Sequence, residues 1–396
     1  MNQLFSDRIL NSKKSFIREI LKITNNKDII SFAGGLPNPI SFPTAALQDA
    51  MNTVTSKNGS HVFQYATTEG YLPLREYIAK RYQTKHGLTI NADDILITSG
   101  SQQGLDLIGK VFLNKDDHVL IEKPGYLGAI QALSLYEPHF HQVDLFEDGI
   151  DLNQFKTLLH QHNIKLFYSV PNFQNPTGIT YSKANREALG GMLNDTQTVL
   201  IEDDPYGELR FIGEDVPYIQ SFSSNPSILL GSFSKIVTPG MRIGWICTTR
   251  PEIMDKLIIA KQASDLHTNY FSQRVIYQYL IDNNLEEHIS HIKKLYKEQR
   301  EAMLLSIAEY FPENIKITKP EGGMFLWATL PDSMSSLKLF ELASTLKVAF
   351  VPGEPFYVGE IPQNTLRLNY TNSDPKTIDE GIKRLGQAIK TLLAQA

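Results

Sequence analysis

Four short segments of this 396-residue chain combine residue types that can do covalent or acid–base chemistry. In GSFSKIVTPGMRIGW, Lys235 follows Ser232 and Ser234, and Arg242 comes seven residues later. A lysine whose pKa is lowered by its surroundings condenses with carbonyls, and an arginine beside it offers a permanently charged fork for an anion. A solvated surface lysine is the plainer alternative. In IEDDPYGEL, Asp203 and Asp204 end an apolar run. A carboxylate buried there without a positive partner is costly. Either one of them faces a protonated ring nitrogen, or the pair caps a solvated loop. In TSGSQQGLDLIGK a turn through Gly100 leads into a helix starting near Gln102. Free N–H groups and the positive dipole end suit a phosphate there, although an ordinary helix cap reads the same way. The run Gly104–Lys110 nearly matches a nucleotide phosphate loop, but Val111 stands where Ser or Thr should hold magnesium. Leu105, Leu107 and Ile108 also look like a buried helix face, so a nucleotide is excluded. The fourth segment, PNFQNPTG, is strong turn chemistry and becomes functional only in company.

Each segment follows an expected strand. The runs DDILITSG, HVLIEK, KLFYSV, TVLIEDD, SILLGS and RIGWICTT are short, apolar and rich in Ile, Val, Leu and Tyr. Helical patterns separate them, which predicts an α/β unit on a mostly parallel sheet, with ligand groups at the strand ends. Residues 251–310 read as largely helical. After them EGGMFLWATL, VAFVP and TLRLNY are strand-like, with helices expected over 335–346 and 375–393, as in a smaller α+β unit. The boundary is expected inside a long helix near 285–300. Ahead of the Gly/Pro-dense loop at 31–43, SFIREILK predicts a short helix from Ser15 to Lys22.

Composition narrows the classes. With 42% hydrophobic and 20% charged residues the chain is neither disordered nor fibrous. Thirty-eight Lys+Arg against 43 Asp+Glu leave −5, with no basic excess for nucleic acid. No apolar run reaches the roughly 18–20 residues of a membrane span, and the opening residues lack a signal-like apolar stretch. The single cysteine, Cys247, cannot form an internal disulfide and reads as a small buried hydrophobe. A cytoplasmic protein without membrane or nucleic-acid partners is expected.

A reactive lysine, a phosphate site, an acid for a pyridinium and an Asn-bearing turn are together what pyridoxal 5′-phosphate (PLP) requires. NPTG, D-x-P-Y and S-x-S-K with its downstream Arg occur in one order, with 28 residues from Asn175 to Asp203 and three from Asp203 to Tyr206. In these motifs the chain resembles the class I/II aminotransferases of PLP fold type I. The likeness runs from SFAGGLPNP at 31 to RLNY at 367. It implies a large domain over 45–290, with a mostly parallel seven-stranded sheet flanked by helices. It also implies a small α+β domain over 291–396 and an arm, 1–44, packing on the small domain. By the same resemblance Lys235 would carry PLP and move protons, and Asp203 rather than Asp204 would pair with the pyridine nitrogen. Tyr206 and Asn175 would bond the ring oxygen, and Tyr126 would stack on the ring. Ser101, Gln102, Ser232, Ser234 and Arg242 would hold the phosphate, with Tyr65 reaching it from the other subunit of a homodimer. Arg367 would grip the substrate α-carboxylate, beside Gly35 and Asn38 of the AGGLPNP loop.

AGGLPNP with the SFIREIL segment is most similar to the branch of 2-aminoadipate, kynurenine and broad-range aminotransferases, in which Arg18 would meet a distal carboxylate. A solvated helix charge is the alternative for Arg18. Donors then include 2-aminoadipate, glutamate, leucine and aromatic amino acids, with 2-oxoglutarate as acceptor in a ping-pong reaction. The same cofactor could serve a β-lyase or another fold type I reaction. A non-catalytic regulator is a third reading, but it needs a DNA-binding module ahead of the loop. The 33 residues before Gly34 carry no basic recognition helix. The histidine pairs 139/141, 160/162 and 288/291 have spacing common on surfaces, and no metal site is expected.

Overall fold

The computed structural model describes residues 4–11 and 28–395. The expected helix at Ser15–Lys22, and Arg18 with it, lies outside the described residues. The apolar runs form strands because both faces of each are covered. β1 (Ile30–Ser31) stands apart, and a central sheet takes β2 (Ile95–Thr98), β3 (His118–Lys123), β4 (His139–Phe146), β5 (Gly149–Ile150), β6 (Ile164–Ser169), β7 (Val199–Asp203), β8 (Ser227–Ser232) and β9 (Gly244–Cys247). Their order is β2-β9-β8-β7-β6-β3-β4-β5. The pairs from β8 through β4 are parallel; β9 runs antiparallel to both its neighbours, and two-residue β5 folds back on β4. Seven strands thus make the sheet that the resemblance implied, and β5 extends its edge. β2 and β7 are buried at every position, as expected for strands between helix layers.

Each parallel strand ends on the same side of the sheet, so the residues after β2, β3, β6, β7 and β8 converge there. The three helices that fill 251–310 are Pro251–Ser264, Tyr270–Asp282 and Leu285–Tyr310. The last begins where Asn284 accepts from the amides of Glu286 and Glu287. Its first turn is tied to helix Leu72–His86 by Arg81, which donates to Glu286 at 2.6 Å and through Nε to Glu208 at 2.9 Å.

Beyond it, β10 (Lys316–Ile317), β11 (Phe325–Thr329), β13 (Val351–Pro352) and β14 (Thr365–Asn369) form an antiparallel sheet, while β12 (Val348–Ala349) pairs in parallel with β1. Residues 30–32 therefore lie on the C-terminal unit, with Phe32 donating to Ala349 O at 2.8 Å. Two helices, Ser336–Thr345 and Pro375–Leu393, match the expected spans to within a residue or two. The second is capped by Asp374 and buries Ile378, Ile382, Leu385, Ile389 and Leu392 on one face. Trp327 is buried and meets Phe356 edge-on, and Cys247 is a buried free thiol, as expected of it.

Candidate active site

The convergence of strand ends produces one pocket lined by Gly35, Ser101, Gln102, Tyr126, Asn175 and Asp203. Tyr206, Ser232, Ser234, Lys235, Arg242 and Arg367 complete it. Twelve positions expected from the sequence therefore share one cavity. Tyr65 does not belong to it: its ring is 79% exposed and lies edge-on to His267. Asn38 is buried, and its side chain caps its own loop, Oδ1 accepting from Ile40 N.

At one end the chain turns through Gly100 into helix Ser101–Phe112. Gly100 has φ +79°, and a Cβ there would lie 2.3 Å from Arg242 Nη2, so only glycine leaves room for the guanidinium. Arg242 itself holds φ +56°, a conformation costly for a residue with a Cβ, and donates to Ser99 O at 3.2 Å. Ser232 Oγ and Ser234 Oγ lie 2.7 Å apart beside it. Two fixed hydroxyls, an arginine fork and the start of a twelve-residue helix make an anion cradle. The turn is braced by Gln103, whose Oε1 accepts from Ser99 N and from Lys261, a fully buried lysine also paired with Asp265.

In the middle, Asp203 is 2% exposed. Its Oδ2 accepts from Tyr168 at 2.7 Å, but Oδ1 is buried with no hydrogen-bond partner among the described residues. Burial raises its carboxyl to about 7, despite the Tyr168 bond. Such an oxygen is costly to bury unless a donor meets it, and a protonated ring nitrogen would be a donor of that kind. Asp204 has its own partners instead: Asn172, the amide of Gly207, and Tyr218. Asn175 Nδ2 reaches Tyr206 OH at 3.4 Å, and both face the cavity. The turn carrying Asn175 is fixed by a residue that sequence reasoning missed. Glu122, fully buried at the end of β3, accepts from Val170 N, Tyr181 OH and Gln174 Nε2. Gln174 in turn receives the amide and hydroxyl of Thr177.

At the far end Arg367, 3% exposed on β14, donates to Asn175 Oδ1 at 2.8 Å and to Ala33 O at 2.7 Å. It lies over the rings of Phe325 and Phe356. Among the described residues its buried Nε has no hydrogen-bond partner. Burial lowers it to about 10. A guanidinium kept this way awaits an anion. The loop before it is held by three successive carbonyls: Ala33 accepts from Arg367, Gly34 from Asn369 and Gly35 from Lys235 at 2.9 Å.

Lys235 lines the same pocket as both arginines. Burial, with the positive fields of Arg367 and Arg242, pushes it down to about 8. About a tenth of it is then a neutral amine at pH 7, against a trace for an ordinary lysine. The residues present fit PLP: an amine for its aldehyde, an orphan carboxylate oxygen for its ring nitrogen, and an anion cradle for its phosphate. Uptake of PLP by cofactor-free protein should therefore quicken roughly tenfold per pH unit up to about pH 8 and then level off. Stopped-flow absorbance measures this; continued acceleration to pH 10 would show an unshifted lysine.

The comparisons agree with this geometry. A family model described as aminotransferase class I and II matches residues 35–385. Aromatic-amino-acid aminotransferase 1 of Thermococcus litoralis is 42% identical over 392 residues, covering 98% of this chain and 94% of that protein. A kynurenine aminotransferase of Pyrococcus horikoshii, solved with PMP, has a TM-score of 0.94 at 45% identity, covering 98% of each chain. An α-aminoadipate aminotransferase of Thermus thermophilus, complexed with N-(5′-phosphopyridoxyl)-L-leucine, has a TM-score of 0.93 at 38% identity, covering 100% of this chain and 99% of that one.

Proposed function

Because this chain belongs to the class I and II aminotransferases, we propose that it moves the amino group of a large or acidic amino acid to a 2-oxo acid such as 2-oxoglutarate, using PLP. The observation that carries this reading is the pocket itself, lined by a low-pKa amine together with Asp203 and Arg367, each of which has a buried polar atom without a hydrogen-bond partner among the described residues. When bound, PLP spreads over its ring the electron pair left by loss of the substrate Cα proton. Asp203 keeps the ring nitrogen protonated. Asn175 and Tyr206 donate to the ring oxygen, Tyr126 covers the ring face, and the cradle of Ser101, Gln102, Ser232, Ser234 and Arg242 holds the phosphate. Lys235 takes the Cα proton and returns it one position along, which its near-neutral pKa suits.

Arg367 binds the α-carboxylate. Its Nη1 and Nη2 are already fixed by Asn175 and Ala33, so the guanidinium is oriented before substrate arrives. Arg367→Gln should lower kcat/KM about 10- to 150-fold, the worth of one charged hydrogen-bonded contact. Steady-state kinetics with and without an added carboxylate inhibitor check it; unchanged inhibition would place the carboxylate elsewhere.

The donor range rests on the relatives' activities toward aromatic, kynurenine and α-aminoadipate substrates. Arg18 would serve the acidic donors. We propose further a homodimer in which exposed Tyr65 reaches the phosphate of the other subunit's site, a cytoplasmic location, and the division into arm 1–44, large domain 45–290 and small domain 291–396. Turnover of 2-aminoadipate, glutamate, leucine, phenylalanine and kynurenine against 2-oxoglutarate tests the reading. Turnover of large or acidic donors is expected, and a preference for alanine or serine would overturn the assigned substrate class.

A further inference from the structure

At the opposite end of the central sheet from the active site, three segments far apart in sequence bring imidazoles together. His118 begins β3, His141 is the third residue of β4, and His162 closes the helix Leu152–Gln161 just before β6. His118 Nδ1 and His141 Nε2 lie 2.8 Å apart. The rings of His141 and His162 stack with centroids at 4.0 Å, and His118 stands 5.3 Å from His162. One ring nitrogen from each of the three falls within 4.8 Å of the others. All three are half-buried.

From this geometry we propose that His118, His141 and His162 bind a borderline divalent transition-metal ion, with Zn²⁺ as its representative. The ligand chemistry favours that class. Imidazole nitrogen suits Zn²⁺, Ni²⁺ and Cu²⁺, whereas Mg²⁺ and Ca²⁺ take oxygen. A tetrahedral metal about 2.0–2.1 Å from each nitrogen needs ligand atoms roughly 3.3 Å apart, so the 118–141 pair, hydrogen-bonded at 2.8 Å, has to open by about half an ångström as the metal replaces the shared proton. Rotation of a half-buried ring brings in the third. His139 adds a fourth imidazole nearby, 5.5 Å from His118, but it is engaged with Asp116. Lys165, the nearest cation on β6, is neutralised by Asp117 at 2.8 Å.

Such a site would brace β3, β4 and the start of β6 from outside the chemistry. The pocket residues follow the other ends of the same strands, so the metal would stabilise the fold without entering the reaction. In the sequence His141 and His162 belong to separate pairs with spacing common on surfaces, 139/141 and 160/162, and His118 belongs to neither. The third ligand comes from a strand more than twenty residues from the nearest pair, and only the sheet register unites them.

The test uses tag-free holoenzyme in buffer without amino acids, which themselves chelate zinc. Zn²⁺ alone is added, unbound metal is removed by gel filtration, and the metal retained per chain is measured alongside the melting temperature. One zinc per chain with a raised Tm is expected. H118Q/H141Q should weaken retention more than about tenfold, the least that loss of ligand-shell groups costs, with cofactor absorbance and turnover unchanged. Should that double variant lose its cofactor absorbance, H162N carries the same comparison at the helix end. No retained zinc in the wild type, or equal retention in wild type and folded variant, would overturn the proposal.

Discussion

Lys235→Ala should lower transamination by at least about 10²–10⁴-fold, the range lost with a positioned proton-transfer group alone. Lys235 is the one lysine lining the pocket, its Nζ is fixed by Gly35 O at 2.9 Å, and its pKa is brought down to about 8. No other pocket side chain offers an amine that is both nucleophilic and basic near neutrality. Lys235→Arg is the informative companion. It keeps the charge and most of the volume but cannot release a proton, so it should be as inactive as alanine. Pre-steady-state rates, with circular dichroism to verify folding, check both. Residual activity within tenfold of wild type in either variant would remove Lys235 from the chemistry.

Asp203→Asn should lower kcat about 10²–10³-fold, as loss of one preorganised electrostatic group does. The amide can still accept from Tyr168, but it cannot hold a proton on the ring nitrogen as a carboxylate does. Stability of the cofactor-free protein should move the other way. The folded-state pKa of Asp203 is raised to about 7 from 3.8, so the unfolded chain gives up its proton first as pH rises. The buried carboxyl therefore disfavours folding progressively from about pH 4 to 7, and fully above that. Asparagine removes this penalty, so cofactor-free Asp203→Asn should melt at the same temperature as wild type or higher at pH 8. Thermal denaturation of the two cofactor-free proteins measures it. A residue kept for structure would lose stability and activity together; a residue kept for the cofactor loses only activity.

Much of this site was legible because its chemistry demands particular residue types at strand ends. Asp203, Lys235 and Asn175 announce themselves by being polar where an apolar run stops, and the runs themselves gave six of the central strands. Tyr206 three residues on favours Asp203 over Asp204, and the structure gives the two different surroundings: Asp203 lines the pocket, whereas Asp204 is spent on the amide of Gly207 and on Tyr218. What escaped was of two kinds. β4, HFHQVDLF, carries His, Gln and Asp among its apolar residues because it lies near the sheet edge, so its pattern did not read as a strand. Glu122 escaped because a Glu at the end of HVLIEK looks solvated, whereas its partners arrive from 47 to 59 residues away. The three loop carbonyls held by Arg367, Asn369 and Lys235 were equally invisible, since the bonds from Arg367 and Asn369 span more than 330 residues. Local residue chemistry is written in the sequence; the partners that orient it are set by topology.

The central claim is that the pocket transfers an amino group, and a single half-reaction tests it most directly. PLP-loaded protein is mixed with 2-aminoadipate, glutamate, leucine, phenylalanine or kynurenine, without any oxo acid, while the cofactor absorbance is followed. Conversion of the lysine-bound cofactor band to that of the amine form, reversed on adding 2-oxoglutarate, is the predicted result, and the order of acidic against apolar donors reports on Arg18. A cofactor band that shifts on donor binding yet never reaches the amine form with any donor would contradict the account.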